Sequence, residues 1–588
     1  MMLILFSCNQ TEKTENSIPF EKLTTEYTGV NFSNNITPNL ESSENLFDYD
    51  YFYNGSGVGI ADINNDGLKD IIFTANQEEN KLYLNKGNLK FEDITSSSNI
   101  NSENKRWSSG VTFVDINNDG WLDIYISQGG PNKANNRKNL LLINNQDLTF
   151  TDLATEYGLD DEGISTQSAF FDFDKDGDLD CVVMNENEFY GYDPISFFEK
   201  YKDKSVLMAN SSHLYEQIDG KFTNITEKAG LLSPTFGLGL CISDINNDNW
   251  PDIYIANDYY VKDAMYINNQ DGTFTNQIQA STKQISFYGM GVDIEDINND
   301  NLSDIFVLDM ASSDHVRSKT LMASMNTSNF DLITNKLDQH YQYMFNSLQL
   351  NLGNNKYHNV SHQLNMAKTD WSWAGLIFDY NLDGNEDIFV TNGYRKYGSD
   401  NDSRIKINQT KIEYNNRVPI EMKKRLYDEL PSEKLSNLLY KNEGNLIFNE
   451  VGEQSNILEP SFSNGAAYAD LDNDGDLEII VNNIDDNAFI YKNLSVENKR
   501  RIRICHSFNA DGKTQDQVVQ EHAESTNGVL LSSSLWEGVD LKEDMSRFQI
   551  VAKAPYPMLS ETRTKIKMQK YPLWYKACLL YTSDAADE

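Results

Sequence analysis

The chain has 588 residues, with 89 Asp and Glu against 49 Lys and Arg, for a net charge of −40. So negative a surface repels nucleic-acid phosphates and anionic membranes unless cations neutralise it, which argues against nucleic-acid binding by the bulk of the chain. The content of 31 Tyr and 29 Phe against only 12 Pro suits many short strands joined by turns, and five scattered cysteines without a C-x-x-C pair argue against a disulfide framework or a zinc site.

In chain order, the first feature is "MMLILFSC", a short apolar run closed by a small residue and Cys8. It resembles the lipobox of bacterial lipoproteins, which implies a signal and tether over residues 1–19, lipidation at Cys8 and contact with a membrane only through that lipid. No other stretch offers the roughly 18 apolar residues that a spanning helix needs.

From residue 62 onward one acidic loop recurs: "DINNDGLKD" (62–70), "DINNDGWLD" (115–123), "DFDKDGDLD" (172–180), "DINNDNWPD" (244–252), "DINNDNLSD" (296–304), "DYNLDGNED" (379–387) and "DLDNDGDLE" (470–478). In six of the seven copies a small residue lies five positions earlier (Gly57, Gly110, Gly239, Gly291, Ala374, Gly465). After each loop comes an apolar β-rich segment such as "IIFTAN" or "IYIANDY", and then a hairpin signature ending in Asn, a turn and Phe or Tyr, as in "KLYLNKGNLKFEDIT". Each unit therefore predicts four short antiparallel strands. Seven such units predict an all-β, seven-bladed β-propeller over residues 20–495.

The first aspartates are spaced by 53, 57, 72, 52, 83 and 91 residues, so the third, fifth and sixth intervals carry insertions. Those around 309–345 and 395–437 have helical composition, cluster basic residues and fall on blade-connecting loops, where binding function tends to sit. "FIYKN" (489–493) begins a last hairpin whose returning aromatic arm does not follow it in the sequence.

The loops have the chemistry of a hard-cation site. Positions 1, 3 and 5 are always Asp or Asn, position 9 is always acidic, and position 6 is Gly or Asn, the residues that best tolerate a left-handed bend. An oxygen-only donor set without His or Cys favours calcium, and strand-like flanks with an acid at position 9 distinguish the loop from an EF-hand. The expected side-chain ligands are Asp62, Asn64, Asp66 and Asp70; Asp115, Asn117, Asp119 and Asp123; Asp172, Asp174, Asp176 and Asp180; Asp244, Asn246, Asp248 and Asp252; Asp296, Asn298, Asp300 and Asp304; Asp379, Asn381, Asp383 and Asp387; and Asp470, Asp472, Asp474 and Glu478. Up to seven Ca2+ ions are expected.

The repeats resemble the FG-GAP or VCBS repeats of integrin-α-type propellers. "FGLG" (236–239) and "YGMG" (288–291) match the naming motif, and "DWSWAGLIFDYNLDGNEDIFVTNG" from Asp370 is similar to secreted bacterial repeat proteins associated with ASPIC/UnbV domains. The resemblance implies a calcium-stabilised propeller of the cell envelope or extracellular space that presents loops to a protein or glycan partner. A polysaccharide-active scaffold is the enzymatic alternative; no catalytic residues for it stand out, and no phosphate-binding, nucleophile-elbow or H-E-x-x-H motif is present. The pair Trp371 and Trp373 and the aromatic run "YDYFY" (49–53) are expected to pack blades.

Beyond about residue 500 the repeat ends. Residues 506–577, including "WEGVDL" and "KAPYP", resemble part of the second motor domain of XPD/DinG-like superfamily two helicases, an α/β fold. By position that resemblance implicates Glu537, Gly538 and Asp540 in coupling nucleotide to nucleic acid. The segment, bounded as 500–577, carries neither a phosphate-binding loop nor a DEAH-type metal site and is not expected to hydrolyse ATP alone. The final "CLLYTSDAADE" (578–588) resembles translated adapter sequence, so a chimeric reading frame is expected.

Overall fold

The computed structural model describes residues 19–101, 107–131, 136–321, 327–415 and 417–495, together with the backbone of 503–506 and 528–531. Cys8, Glu537, Gly538, Asp540 and the 578–588 tail lie outside the described residues. The chain divides into two units, Met1–Ser495 and Val496–Glu588. In the second, Arg503–His506 pairs in parallel with Gly528–Leu531.

The first unit is a seven-bladed β-propeller of four-stranded sheets. Blade 1 is typical: Val58–Ala61, Asp70–Phe73, Lys81–Asn85 and Phe91–Asp93 pair in sequence, each antiparallel to the next. The second strand is buried along its whole length in every blade, which is why those segments read as continuous apolar runs and not as an alternation. Burial on both faces follows from the ring, because each sheet is sandwiched between two neighbours. The apolar clusters accordingly sit between blades: Ile72, Leu82, Ile124 and Leu142 join blades 1 and 2, and Val182, Leu214, Ile253 and Tyr266 join blades 3 and 4.

The small residue before each loop has a steric reason. Innermost strands crowd around the axis, and a Cβ on Gly291 would stand 1.9 Å from the Trp373 carbonyl of the next blade. At Gly465 it would meet the Ser56 carbonyl at 2.6 Å.

The arm missing after "FIYKN" is supplied by the opposite end of the propeller, which corrects the expectation of an unfinished last repeat. Phe20–Lys22 pairs antiparallel with Phe489–Asn493 as the outer strand of blade 7, in the register Phe20↔Asn493. Blades 1, 2, 4 and 6 use the same register, Asn85↔Phe91, Asn144↔Phe150, Asn268↔Phe274 and Asn442↔Phe448, so Phe20 fills the place of the hairpin aromatic. Backbone bonds from Leu23 N–H to the Ile490 carbonyl (2.9 Å) and from Leu494 N–H to the Pro19 carbonyl (2.8 Å) extend the seam. Sequence order hid this strand because its partner is more than 450 residues away.

Strand direction assigns two faces. Acidic loops and hairpin turns project from one. Connections from second to third strand and from blade to blade project from the other, and there lie all three insertions, with helices Pro194–Lys200 and Lys204–Ala209 in blade 3, Arg317–Thr320 and Thr327–Asp331 in blade 5, and Asn401–Glu413 and Ile420–Asp428 in blade 6.

Phe20 is fully buried. Phe20→Ala is expected to destabilise the propeller by about 3–5 kcal/mol, the usual cost of emptying a core phenylalanine site. Deleting residues 1–22 is expected to cost more, since the ring then opens. Urea unfolding followed by tryptophan fluorescence measures both, and an unchanged midpoint for the deletion would show that the seam does not close the ring.

Candidate functional site: acidic loops on one face, a plugged channel at the other

In each loop the position-1 carboxylate accepts N–H groups from the far side of the bend. Asp62 takes Asp66 N–H at 3.2 Å and Gly67 N–H at 2.8 Å; Asp296 takes Asp300 N–H at 3.0 Å and Asn301 N–H at 2.7 Å. Position 5 accepts the N–H of position 7, as in Asp66 with Leu68 (2.9 Å) and Asp248 with Trp250 (2.8 Å). The left-handed bend expected at position 6 is present in all seven copies, from φ 63° at Asn301 to 101° at Gly177 and Gly475. Position 4 is left-handed as well, from Leu382 at 56° to Lys175 at 62°, which accounts for the frequent Asn there.

The acid at position 9 has a structural task that its spacing did not reveal. Asp70 accepts Ile63 N–H of its own loop (3.0 Å) and Asn85 N–H at the end of the third strand (2.7 Å). The same pair of bonds recurs at Asp123, Asp180, Asp252, Asp304 and Glu478. At Asp387 the Asn442 N–H is kept at 2.7 Å and the other oxygen takes Asn381 Nδ2 at 2.9 Å. Burial raises these carboxyls, Asp70 to about 7 and Glu478 to about 9.

Blades 3 and 7 stand out. Asp172, Asp174 and Asp176, and likewise Asp470, Asp472 and Glu478, bring three carboxylate oxygens within 4.8 Å of one another. Asp172 Oδ1 and Asp472 Oδ1 are buried and receive no hydrogen bond. Two buried, donor-free carboxylate oxygens beside like charges are unfavourable by themselves, and the donor set fits a hard divalent cation.

On the opposite face the aromatic run forms no blade; it crosses the axis. Residues 49–53 close one end of a central cavity of about 270 Å3 ringed by the innermost strands. Tyr49 meets Trp107 and Tyr190 edge-on at 6.2 and 5.8 Å, Tyr51 meets Tyr259 at 6.2 Å, and Tyr53 meets Tyr394 at 6.0 Å, so the run touches four blades. Tyr53 also bonds Tyr427 of the blade-6 insertion and receives Arg395 Nη1 at 2.8 Å. Its phenols stand on buried acids: Tyr49 OH donates to Glu186 (2.8 Å) and Tyr51 OH to Asp258 (3.1 Å). Burial lifts Glu186 to about 8 and Asp258 to about 7, and raises Asp50, which accepts Tyr259 OH at 2.8 Å.

Beside this plug opens a cavity of about 410 Å3 between it and the helix Asn401–Glu413. Trp371 is stacked on Tyr394 at 4.0 Å and 5°, so it is packed on one face, against an insertion residue and not only within its blade. Trp373 lines this cavity and the channel alike and anchors its indole N–H on the Gly393 carbonyl at 2.6 Å.

Comparison with known proteins places these units. Residues 52–126 and 244–307 match the model of the FG-GAP-like repeat. These two stretches, blade 1 with the inner strands of blade 2 and blade 4 from its acidic loop onward with the inner strands of blade 5, are FG-GAP-like repeats. Cartilage acidic protein 1 of Xenopus tropicalis is 33% identical over 132 residues, 22% of this chain and 20% of that protein, so the match spans about a fifth of its relative. A lectin of Agrocybe aegerita, solved to explain specific recognition of non-reducing terminal N-acetylglucosamine, superposes with a TM-score of 0.34 at 14% identity, covering 68% of this chain and 80% of that one. Residues 479–574 match the model of a helicase C-terminal domain. That match starts inside the last propeller blade, where Glu478–Asn483 and Phe489–Asn493 are ordinary blade strands.

The buried acids beneath the plug give a pH signature. Their folded-state pKa values lie above the ordinary value near 4, so between about pH 4 and 8 the folded protein holds more protons than the unfolded chain, and stability falls as pH rises through that window. His213, whose burial alone would lower its pKa but whose buried Asp161 and Met208 carbonyl partners raise it on balance, contributes with the same sign. At fixed calcium, the melting temperature is expected to drop from pH 5 to pH 8.5, and Glu186→Gln, which still accepts from Tyr49, is expected to flatten the upper part of the curve. Calorimetry across that range checks it.

Proposed function

We propose that the protein is a calcium-stabilised binding propeller of the cell envelope or extracellular space, with the loop face holding the ions and the insertion face meeting a protein or glycan partner. The observation that carries the metal half is the pair of donor-free buried oxygens, Asp172 Oδ1 and Asp472 Oδ1, inside three-carboxylate clusters. A divalent cation there supplies the charge that those carboxylates lack. Asp62, Asp66 and their counterparts would hold it, with the N–H bonds now made to position 1 keeping the loop close to its binding shape.

The position-9 acids act chiefly as backbone clamps in this reading, lending charge to the site while fixing its edge. Blades 3 and 7, with Asp174 and Asp472 where other loops have Asn, bind most tightly because each adds one full negative charge. No helix among the described residues is long and apolar enough to cross a membrane. A lipid on Cys8 is the proposed anchor. Phe20, twelve residues on, enters the ring beside Asn493, whose Nδ2 bonds the Leu477 carbonyl of the seventh loop. The tether therefore leaves from the loop face and directs the insertion face away from the bilayer. The helicase-like segment is assigned no part in this function; a chimeric reading frame accounts for it, and one long read across codons 490–510 decides the point.

Calcium is expected to raise the melting temperature by several degrees over protein in EDTA, as for any ion that binds only the folded state. Asp172→Ala with Asp176→Ala is expected to remove part of that shift, more than the equivalent pair Asp62→Ala with Asp66→Ala in blade 1. Equal melting temperatures with EDTA and with calcium would refute the metal assignment.

A further inference from the structure

The insertion-face cavity has features that blade packing does not require. The chain is strongly acidic, yet one wall of the cavity is the helix Asn401–Glu413, which turns Arg404, Ile407, Asn408 and Lys411 toward it at i, i+3, i+4 and i+7. Among the described residues, neither Arg404 nor Lys411 takes part in an ion pair, whereas Lys406 on the other side of the same helix is paired with Glu429. Lys411 acts electrostatically on Asp50 and Arg404 on Tyr288, so both cations bear on the cavity's own groups.

The opposite wall is aromatic. Tyr259 holds φ at +56°, a left-handed conformation costly for a bulky side chain, which its N–H bond to Asp258 (2.7 Å) and its phenol bond to Asp50 (2.8 Å) maintain. Strain of that kind persists only where the surroundings enforce it, and it concentrates at ligand sites. Trp373, part-exposed and anchored through its indole N–H, presents a ring with settled orientation. The volume of about 410 Å3 is that of a small-ligand pocket.

We propose that this cavity binds an acidic saccharide residue, a uronate-bearing sugar, with Arg404 and Lys411 receiving the carboxylate, the aromatic wall stacking on the sugar ring and the Asp50 carboxyl bonding its hydroxyls. The inference rests on the binding-propeller reading and names the ligand class of its insertion face. A planar guanidinium pairs with a carboxylate in bidentate fashion, and the slightly positive C–H face of a pyranose suits the negative face of an aromatic ring. A cationic ligand is disfavoured because it would have to pass two unpaired positive charges to reach acids already bonded to phenols.

The test is calorimetric titration of the full chain in calcium with three probes: hyaluronan tetrasaccharide, neutral N-acetylchitotetraose and tetraglutamate. The uronate-containing sugar is expected to bind, more weakly as salt rises, and to perturb tryptophan fluorescence. Arg404→Ala with Lys411→Ala is expected to weaken it at least tenfold at an unchanged melting temperature, since both residues are exposed, and Arg404→Lys with Lys411→Arg is expected to recover much of the loss. No binding of the tetrasaccharide, equal binding of chitotetraose or tetraglutamate, or full affinity in the alanine double variant would each overturn the proposal. Failure here with a calcium-dependent melting temperature leaves the metal assignment standing. Binding without such dependence would do the reverse.

Discussion

The whole ring depends on a carboxylate that points away from solvent. In each blade the position-9 acid takes one N–H from its own loop and, in six of the seven blades, one from the Asn that ends the third strand. Five of these six Asn then reach the preceding blade: Asn85 Nδ2 donates to the Leu471 carbonyl, Asn144 to Ile63, Asn268 to Phe173, Asn442 to Ile297 and Asn493 to Tyr380, all at 2.8 to 2.9 Å and all to position 2 of the neighbouring loop, while in blade 5 Tyr357 OH makes that bond to the Ile245 carbonyl. An intramolecular hydrogen bond contributes about 0.5–1.5 kcal/mol net, and more when its acceptor is ionised. Here they also link loop to strand and blade to blade, so losing one acid loosens a joint between two sheets.

A second set of ties runs on the solvent side. Asn65 Nδ2 donates to the Gly120 carbonyl, Asn247 to Asn301, Asn299 to Gly384 and Asn473 to Gly67, each from position 4 of one loop to position 6 of the next. These ties join loops at four of the seven junctions, that between blades 7 and 1 included, while the Phe20 seam closes the sheet of blade 7 itself. Carboxylates held this close repel one another, a repulsion that the proposed cations would relieve.

The two faces divide the work. Regular turns face one way and repeat with the blade. The irregular material, including three insertions and the aromatic plug, faces the other, where only tertiary contacts restrain it. Tyr49, Tyr51 and Tyr53 each stand on a different blade's insertion or buried acid, so the plug reports on several blades at once and couples the cavity to the ring beneath it.

The sequence by itself determined the blade count, the position of every acidic loop, the bend at position 6 and the location of the larger insertions, because these are local patterns repeated at a fixed phase. It also contained the hairpin Asn and the small residue five positions before the loop, although not their purpose. Only the tertiary structure decided that position 9 clamps backbone, that Asn ties neighbouring blades, that residues 49–53 cross the axis, and that Phe20 completes the last sheet. These depend on partners tens to hundreds of residues apart, and ring closure, which no window of sequence contains, is what brings them together.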